Sequence, residues 1–192
     1  MVAAAAFAAV FAFIAILYKT GVSDAFDSWA GGLFLAARSP AATAIFRASS
    51  VIGSAAPIIA LCLILFIISA TRKDYGVKVS LAAACSQTLN FLLKLLFARP
   101  RPDGLPLVEV SGFSFPSGHA MNNACVCVTL ALLVIRGAGG KRAAAIICLS
   151  AVYITFIGAG RVYLGVHYAT DVVAGFSAGA AVALAVGAVW PD

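Results

Sequence analysis

Charged side chains are scarce in this sequence of 192 residues: 10% are Asp, Glu, Lys or Arg, and 63% are hydrophobic. Soluble globular domains carry about 25% charged residues. A soluble core of this size cannot hide so much apolar surface, so the composition excludes an ordinary water-soluble protein and predicts that the lipid bilayer is its solvent. The length suits one domain, and we expect residues 1–192 to form a single unit.

Histidine is rarer still, with two residues, and no H-E-x-x-H pattern is present, so the chain offers a poor set of metal ligands. The five cysteines all lie inside apolar runs, where a thiol behaves as a small buried hydrophobe. Their odd number and their placement argue against a disulfide framework.

The formal net charge is +6, but the basic residues stand between apolar runs and do not spread over a soluble face. This placement argues against nucleic acid as a partner. Two interpretations remain open. The basic residues mark cytoplasmic loops that follow the positive-inside rule, or they form a site for an anionic group.

Apolar runs predict about six transmembrane helices, because each run approaches the roughly 17–25 residues that a span requires. The expected fold class is therefore an all-α, six-helix membrane bundle. The first run lacks a basic leader region and a clear cleavage site before Lys19, so we interpret it as a retained helix. Residues 19–53 are expected to form an amphipathic helix at the interface or a helical connecting loop. The predicted spans are 2–18, 54–70, 79–98, 118–136, 143–160 and 168–190.

The basic residues of the loops bear on orientation. Six spans would place both termini and the second and fourth connections on one side, which the positive-inside rule predicts to be cytoplasmic. The opposite side holds as many basic residues, so the count alone does not decide the orientation. The basic residues of the two connections are Arg72, Lys73, Lys78, Arg136, Lys141 and Arg142.

Three polar stretches interrupt the apolar runs on the opposite side: Lys94 to Pro102, Phe115 to His119, and Gly160 to Asp171. Both histidines of the chain lie in these stretches. Each is at the end of a predicted span, and cationic residues lie at a similar depth in the membrane. Ionisable groups near the membrane are costly and are functional candidates by default.

His167 and Asp171 stand at positions i and i+4, so they share one face of a helix. A carboxylate there can accept the proton of one ring nitrogen and leave the other nitrogen as a nucleophile. The alternative is a helix-surface pair that contributes a few tenths of a kcal/mol.

Three cations, at three different span ends, suit a dianion, because arginine forks match phosphate oxygens and lysine adds a point charge. The alternative is snorkelling of these side chains to the lipid headgroups, and we prefer that alternative for Arg99 alone. The three candidate cations are Lys94, Arg101 and Arg161.

The Pro116-Ser117-Gly118-His119 tetrapeptide opens the fourth predicted span. Helix N-termini present free N–H groups and the positive end of the helix dipole. Ser117 can donate its hydroxyl to a phosphate oxygen, Gly118 allows close approach of the backbone, and His119 can protonate a leaving oxygen. The alternative is an ordinary helix start with proline and serine in the capping region.

Two further patterns concern packing. Gln87 and Asn90 lie on one helical stripe with Lys94, and Asn122 lies one turn beyond His119, so we expect these amides to make interhelical contacts. The GxxxG match in residues 175–179 predicts close helix packing or dimerisation.

Taken together, these residues resemble the type 2 phosphatidic acid phosphatase (PAP2) family, which shares its site with vanadium-dependent haloperoxidases. The family motifs read K-x6-R-P, P-S-G-H and S-R-x5-H-x3-D, and residues 94–171 match them in order and spacing. Gly160 departs from the pattern, because the third motif begins with serine. The change removes one hydroxyl contact to phosphate, and we expect weaker binding or an altered preference.

The resemblance implies a membrane phosphatase that needs no metal and no other cofactor. It implies that His167 is the nucleophile that forms a phosphohistidine, Asp171 its orienting partner and His119 the acid for the leaving group. The implied phosphate cradle comprises Lys94, Arg101, Ser117, Gly118 and Arg161.

The position of the motifs at the membrane interface, where headgroup phosphates lie, favours a lipid phosphate as substrate. Undecaprenyl diphosphate, phosphatidylglycerol phosphate, phosphatidate and lipid A are substrates of the family type. We expect a bacterial inner-membrane protein with its site on the periplasmic or extracellular side and cytoplasmic termini. The alternatives are a lipid phosphotransferase with an alcohol acceptor, an anion transporter, and a haloperoxidase, against which the apolar composition argues.

Overall fold

The computed structural model describes residues 1–68, 75–104, 106–135 and 138–189. Within these ranges the regular structure is helical, which agrees with the all-α prediction. The basic residues Arg72, Lys73 and Arg136, together with the predicted span ends at 70, 136 and 190, lie outside the described residues. The described α-helices are α1 (Val2–Lys19), α2 (Asp24–Ala36), α3 (Pro40–Ile52), α4 (Ala55–Ile67), α5 (Val77–Phe97), α6 (Gly118–Ile135), α7 (Gly140–Tyr163) and α8 (Ala169–Val189).

Five of these helices, α1 and α5 to α8, are long and apolar enough to cross a membrane. Helices α3 and α4 meet at a bend of 44° and form a sixth candidate span if they count as one broken helix. Helix α4 has 13 residues, which at the α-helical rise is about 20 Å, shorter than the roughly 30 Å hydrocarbon core. The described part of the second predicted span therefore reaches the required length only together with α3.

Residues 19–53 form two helices that pack against the bundle. Ser39 caps the start of helix α3: its hydroxyl accepts a hydrogen bond from the Ala42 N–H at 3.2 Å, and Pro40 occupies the first turn of the helix. Helix α2 packs on α7 and α8, and α3 packs on α7. Helix α2 buries Asp27 and Ala30. The segment is thus helical, as predicted, but it carries a buried carboxylate that neither sequence interpretation included.

Helix α8 lies at the centre, with its most extensive contacts to α6 and then to α1. Its glycines permit this approach: a Cβ at Gly179 would lie 2.1 Å from the Met121 carbonyl oxygen, and one at Gly175 would lie 2.8 Å from the Ser117 carbonyl oxygen. The GxxxG pattern therefore marks close packing of α8 on α6 within the chain.

A Gly179→Ala substitution should weaken this contact, because the added methyl overlaps the backbone of α6. We expect the free energy of unfolding in detergent to fall by about 2 kcal/mol or more, the scale of overpacking. Gly187→Ala is the matched control in the same helix, since its Cβ would meet Leu132 at an ordinary 3.7 Å. Equal thermal stability of the two variants would contradict the packing described here.

The up-and-down order of α5 to α8 places four helix ends at one end of the bundle: the C-termini of α5 and α7 and the N-termini of α6 and α8. The two connecting loops, residues 98–117 and 164–168, meet there, and the Leu107 N–H donates to the Leu164 carbonyl at 2.9 Å. All three polar motifs are thereby brought to the same end of the molecule.

Candidate active site

The His167 ring is held between a carboxylate and an arginine. Its Nδ1 lies 3.3 Å from Asp171 Oδ2, and its Nε2 lies 3.4 Å from Arg101 Nη1. An arginine can only donate, so Nε2 is the unprotonated nitrogen whose lone pair accepts from Arg101, and Nδ1 carries the proton that Asp171 accepts. The ring is 4% exposed. The predicted pair therefore forms, and it leaves Nε2 facing a cation.

Asp171 is fully buried, and its two oxygens have different partners. Oδ2 receives the Tyr168 N–H at 2.9 Å and the Ser114 hydroxyl, in addition to His167 Nδ1. Oδ1 receives Arg99 Nη1 at 2.7 Å. The carboxylate is thus fixed from several directions, and Ser114 is a member of the site that the motifs do not contain.

The prediction that Arg99 snorkels to the headgroups is wrong. Its side chain is 4% exposed and turns inward. Its Nη1 donates to Asp171 and, at 2.8 Å, to the Thr170 hydroxyl, and its Nη2 donates to Asp27 Oδ2 at 2.8 Å. The sequence interpretation considered only the position of Arg99 near a helix end, whereas its partner Asp27 stands far away in the chain.

Asp27 closes this network from α2. Its Oδ1 accepts the Thr170 N–H at 2.9 Å and its Oδ2 accepts the Thr170 hydroxyl at 2.6 Å. The Arg99 guanidinium lies 3.9 Å from the Tyr168 ring centroid and 4.4 Å from that of Tyr18. Burial by itself would lower the pKa of Arg99, but Asp171 and Asp27 outweigh it and raise the pKa above its usual value. One buried cation is thus shared by two buried carboxylates.

Lys94 and Arg101 anchor the loop between α5 and α6 through backbone carbonyls. Lys94 Nζ donates to Phe113 O and, at 3.4 Å, to Ser114 O. Arg101 donates to carbonyls of the same loop and, at 2.8 Å, to Val166 O beside His167. Burial lowers the pKa of Arg101, with Asp171 opposing the shift. An anion at Arg101 would therefore offset part of the cost of burying its charge.

Ser117 and Gly118 lie where α6 begins. The Ser117 N–H donates to the Asp171 carbonyl at 3.0 Å, which ties this helix start to α8. Asn90 donates to Pro116 O at 3.2 Å, and its Oδ1 lies 3.0 Å from the position that a Cβ on Gly118 would take. A side chain at residue 118 would therefore press on the Asn90 amide of α5.

Arg161 and His119 share one neighbour, Ser50, at the end of α3. Arg161 is 3% exposed, and its Nη1 donates to the Ser50 hydroxyl. His119 Nε2 lies 3.0 Å from the Ser50 carbonyl oxygen. Arg161 of the third motif and His119 of the second thus meet at the end of α3.

Three buried side-chain atoms have no hydrogen-bond partner within the described ranges: Ser23 Oγ, Ser117 Oγ and Arg161 Nε. Two of the three belong to the predicted phosphate cradle. A buried polar atom without a partner costs roughly 1–3 kcal/mol, so such atoms are rare in native proteins. Ser117 and Arg161 are therefore free to donate to the oxygens of a tetrahedral anion.

The predicted polar stripe joins α5 to α6. The Ser86 hydroxyl donates to Asn122 Oδ1 at 2.7 Å, Asn122 Nδ2 donates to Gln87 Oε1, and Asn90 reaches Met121 Sδ at 3.5 Å. These contacts confirm that the amides are interhelical.

Two cavities border the site. One, of about 590 Å³, is lined by Arg101, Pro102 and Val166, among others, and the second, of about 520 Å³, reaches His167 from the side of α2.

In the part of the chain that the structure describes, no group of three or more His, Cys, Asp or Glu side chains could hold a metal ion.

Burial lowers the pKa of His167 to about 4 from its ordinary 6.5, although Asp171 opposes the shift. The ring should thus stay neutral, with its nucleophilic lone pair, as the pH falls through 6.5. The chain has two histidines, so His119→Gln leaves one imidazole to follow by NMR in detergent after removal of any purification tag. We expect a midpoint near 4, and a midpoint at the ordinary 6.5 would contradict the buried geometry.

Comparison with known proteins gives a consistent result. The sequence matches the PAP2 superfamily over residues 75–192. Phosphatidylglycerophosphatase B of Bacillus subtilis (strain 168) is 41% identical over 111 residues, which cover 56% of this chain and 55% of that protein. The chain thus aligns with about half the length of this curated relative.

Two solved structures share the fold. The crystal structure of a transmembrane PAP2-type phosphatidylglycerolphosphate phosphatase from Bacillus subtilis matches with a TM-score of 0.89 and 29% identity, covering 98% of this chain and 96% of that one. Aquifex aeolicus LpxE matches with a TM-score of 0.65 and 27% identity, covering 81% and 91%. These matches confirm the predicted resemblance and an integral membrane fold with multiple spans. The chain belongs to the PAP2 superfamily.

Proposed function

We propose that this protein is a membrane lipid phosphatase that hydrolyses a phosphate monoester or diphosphate of a lipid through a phosphohistidine on His167. The observation that carries the proposal is the orientation of one ring. Nδ1 of His167 faces Asp171 at 3.3 Å, while Nε2 faces Arg101 at 3.4 Å. A phosphate bound to the arginine would lie next to the free lone pair.

In the first step, Nε2 of His167 forms a bond to phosphorus and the bond to the lipid oxygen breaks. With a monoester, His119 transfers a proton to the departing alkoxide and the lipid leaves as an alcohol; with a diphosphate, the departing group is the lipid monophosphate. Asp171 keeps the Nδ1 proton and stabilises the positive charge that develops on the ring. The negative charge on the phosphoryl oxygens is stabilised by fixed donors, which are Lys94, Arg101, Arg161, the Ser117 hydroxyl and the Gly118 N–H.

In the second step, water attacks the phosphohistidine. His119, neutral after the first step, accepts a proton from the water, and the P–N bond breaks to give inorganic phosphate and neutral His167. His119 is then protonated again and ready for the next turnover, so protons and bonds balance over the cycle. No step requires a metal ion.

The comparisons favour one substrate to test first. The curated relative and the better-matching crystal structure, both from Bacillus subtilis, carry the name of a phosphatidylglycerophosphate phosphatase. A headgroup that extends from the bound phosphate has space in the cavity beside Arg101, of about 590 Å³. Phosphatidylglycerol phosphate is therefore the leading candidate among lipid phosphates. The proposed location is the bacterial inner membrane, with the site on the periplasmic or extracellular side and the termini in the cytoplasm.

The proposal predicts phosphate release from phosphatidylglycerol phosphate by purified protein in detergent, with no added alcohol and with EDTA present. The panel should also include phosphatidate, undecaprenyl diphosphate and lipid A. Loss of activity with EDTA would overturn the metal-free mechanism. Turnover that depends on an added alcohol would identify a phosphotransferase, and anion flux in liposomes without hydrolysis would identify a transporter.

A further inference from the structure

Position 160, where the third family motif has serine, lies tightly against helix α3. A Cβ on Gly160 would lie 2.8 Å from Ser49 Oγ and 3.1 Å from Phe46 Cδ1, both on α3. Helix α3 thus packs directly over the residue before Arg161, and a serine there would require the Ser49 and Phe46 side chains to shift. The glycine at position 160 therefore suits the close packing of helix α3 on this residue.

The same helix brings a different hydroxyl to the site. Ser50 Oγ accepts a hydrogen bond from Arg161 Nη1, and the Ser50 carbonyl oxygen lies 3.0 Å from His119 Nε2. A carbonyl oxygen can only accept, so it holds the proton on Nε2 of His119 and leaves Nδ1 to exchange the catalytic proton. A hydroxyl that accepts from arginine still has its own proton to donate.

The position of Ser50 is secured by the junction of α3 and α4. Asn123 on α6 donates to the Gly53 carbonyl at 2.7 Å and to the His119 carbonyl at 2.8 Å. Its Oδ1 accepts the Tyr153 hydroxyl at 2.8 Å. The end of α3 is therefore attached to the same helix turn that carries His119, although it lies outside residues 75–192, which match the family.

We propose that Ser50 is a phosphate-positioning residue, whose hydroxyl holds Arg161 and supplies at the site the hydroxyl that Gly160 lacks. The inference rests on the proposed function only in taking phosphate as the ligand of Arg161. Arg161 has a buried Nε without a partner within the described ranges, and its contact with Ser50 holds Nη1 of the guanidinium. Without the hydroxyl, the guanidinium loses its anchor and the anion loses a donor.

The test is binding of inorganic phosphate to the purified full-length protein in detergent, measured by isothermal titration calorimetry. We expect Ser50→Ala to weaken the Kd about tenfold, the effect of one hydrogen bond to a charged group. Ser50→Thr, which keeps the hydroxyl, should stay within about threefold of the unmodified protein. In turnover assays with a lipid phosphate, Ser50→Ala should raise KM more than it lowers kcat.

Ser49→Ala is the matched control, because its hydroxyl bonds to Phe46 O of its own helix at 2.9 Å. We expect it to bind phosphate like the unmodified protein. Unchanged binding by Ser50→Ala, equal weakening by Ser50→Thr, or no phosphate binding by the unmodified protein would overturn the inference. Binding with the expected order of variants but without hydrolysis of any lipid would support it and count against the proposed function alone.

Discussion

Replacement of His167 by alanine should abolish phosphate release, with a loss of at least about 10,000-fold in kcat, as expected when a nucleophile is removed. The reason is that Nε2 of His167 is the lone pair that faces Arg101, at 3.4 Å. The measurement is release of inorganic phosphate from phosphatidylglycerol phosphate by the purified variant.

Two controls separate loss of the nucleophile from loss of acid–base assistance and from loss of phosphate binding. His119→Gln should lose less, about 100- to 10,000-fold, because it removes acid–base assistance and leaves the nucleophile. Binding of inorganic phosphate by His167→Ala should persist, since the three cations remain. Retention of a tenth or more of the activity by His167→Ala would contradict the proposed role of this residue.

Replacement of Arg99 by methionine should destabilise the protein more than any other single change at the site. The substitution leaves Asp27 and Asp171 buried without their shared cation. Breaking a buried ion pair by removing one partner costs about 3–5 kcal/mol, and we expect a loss of that size in the free energy of unfolding. Thermal or denaturant unfolding in detergent measures it.

The matched control is Arg142→Met, which removes the same charge from an exposed position on α7. It should change stability by no more than about 0.5 kcal/mol. Adding Asp27→Asn to Arg99→Met should recover part of the loss, because one of the two uncompensated charges is then removed. Similar stability of Arg99→Met and Arg142→Met would show that the ion pairs of Arg99 with Asp27 and Asp171 do not stabilise the fold.

The apolar runs predicted the spans well, because a helix that crosses the bilayer needs a long continuous run of apolar residues, and such a run is a local property of the sequence. Helices α1 and α5 to α8 begin and end within a few residues of the predicted limits. The exception is the second span, which the structure divides between α3 and α4 at a bend. Ser39 and Pro40 signal the start of α3, but the stretch that follows is less apolar, and hydropathy alone does not pair it with α4.

The motifs likewise predicted the contact of His167 with Asp171, because spacing along a helix is a local property. They did not identify Asp27, Ser114 or Ser50, which reach the site through contacts that only the tertiary fold creates. For Asp27 one signal was present: a carboxylate in a short apolar helix requires a cation, and Arg99 was one of the basic residues that neither the positive-inside rule nor the phosphate cradle had used.

These added residues suggest why each histidine of the site holds its orientation. His167 has the carboxylate of Asp171, which Arg99 and Ser114 fix in turn. His119 has the backbone carbonyl of Ser50, at 3.0 Å. In both cases an acceptor holds one ring nitrogen and leaves the other for proton or phosphoryl transfer. Helices α2 and α3 thus hold residues of the candidate site although they carry none of the family motifs.

The central claim is that the phosphoryl group passes through His167, and trapping the intermediate tests it most directly. The protein is mixed with phosphatidylglycerol phosphate labelled at its terminal phosphate and is stopped in alkali within the first turnover. We predict an acid-labile, alkali-stable label that peptide mapping places on His167 and that His167→Ala lacks. Label on another residue, or rapid hydrolysis with inversion at phosphorus and no labelled protein, would contradict the claim.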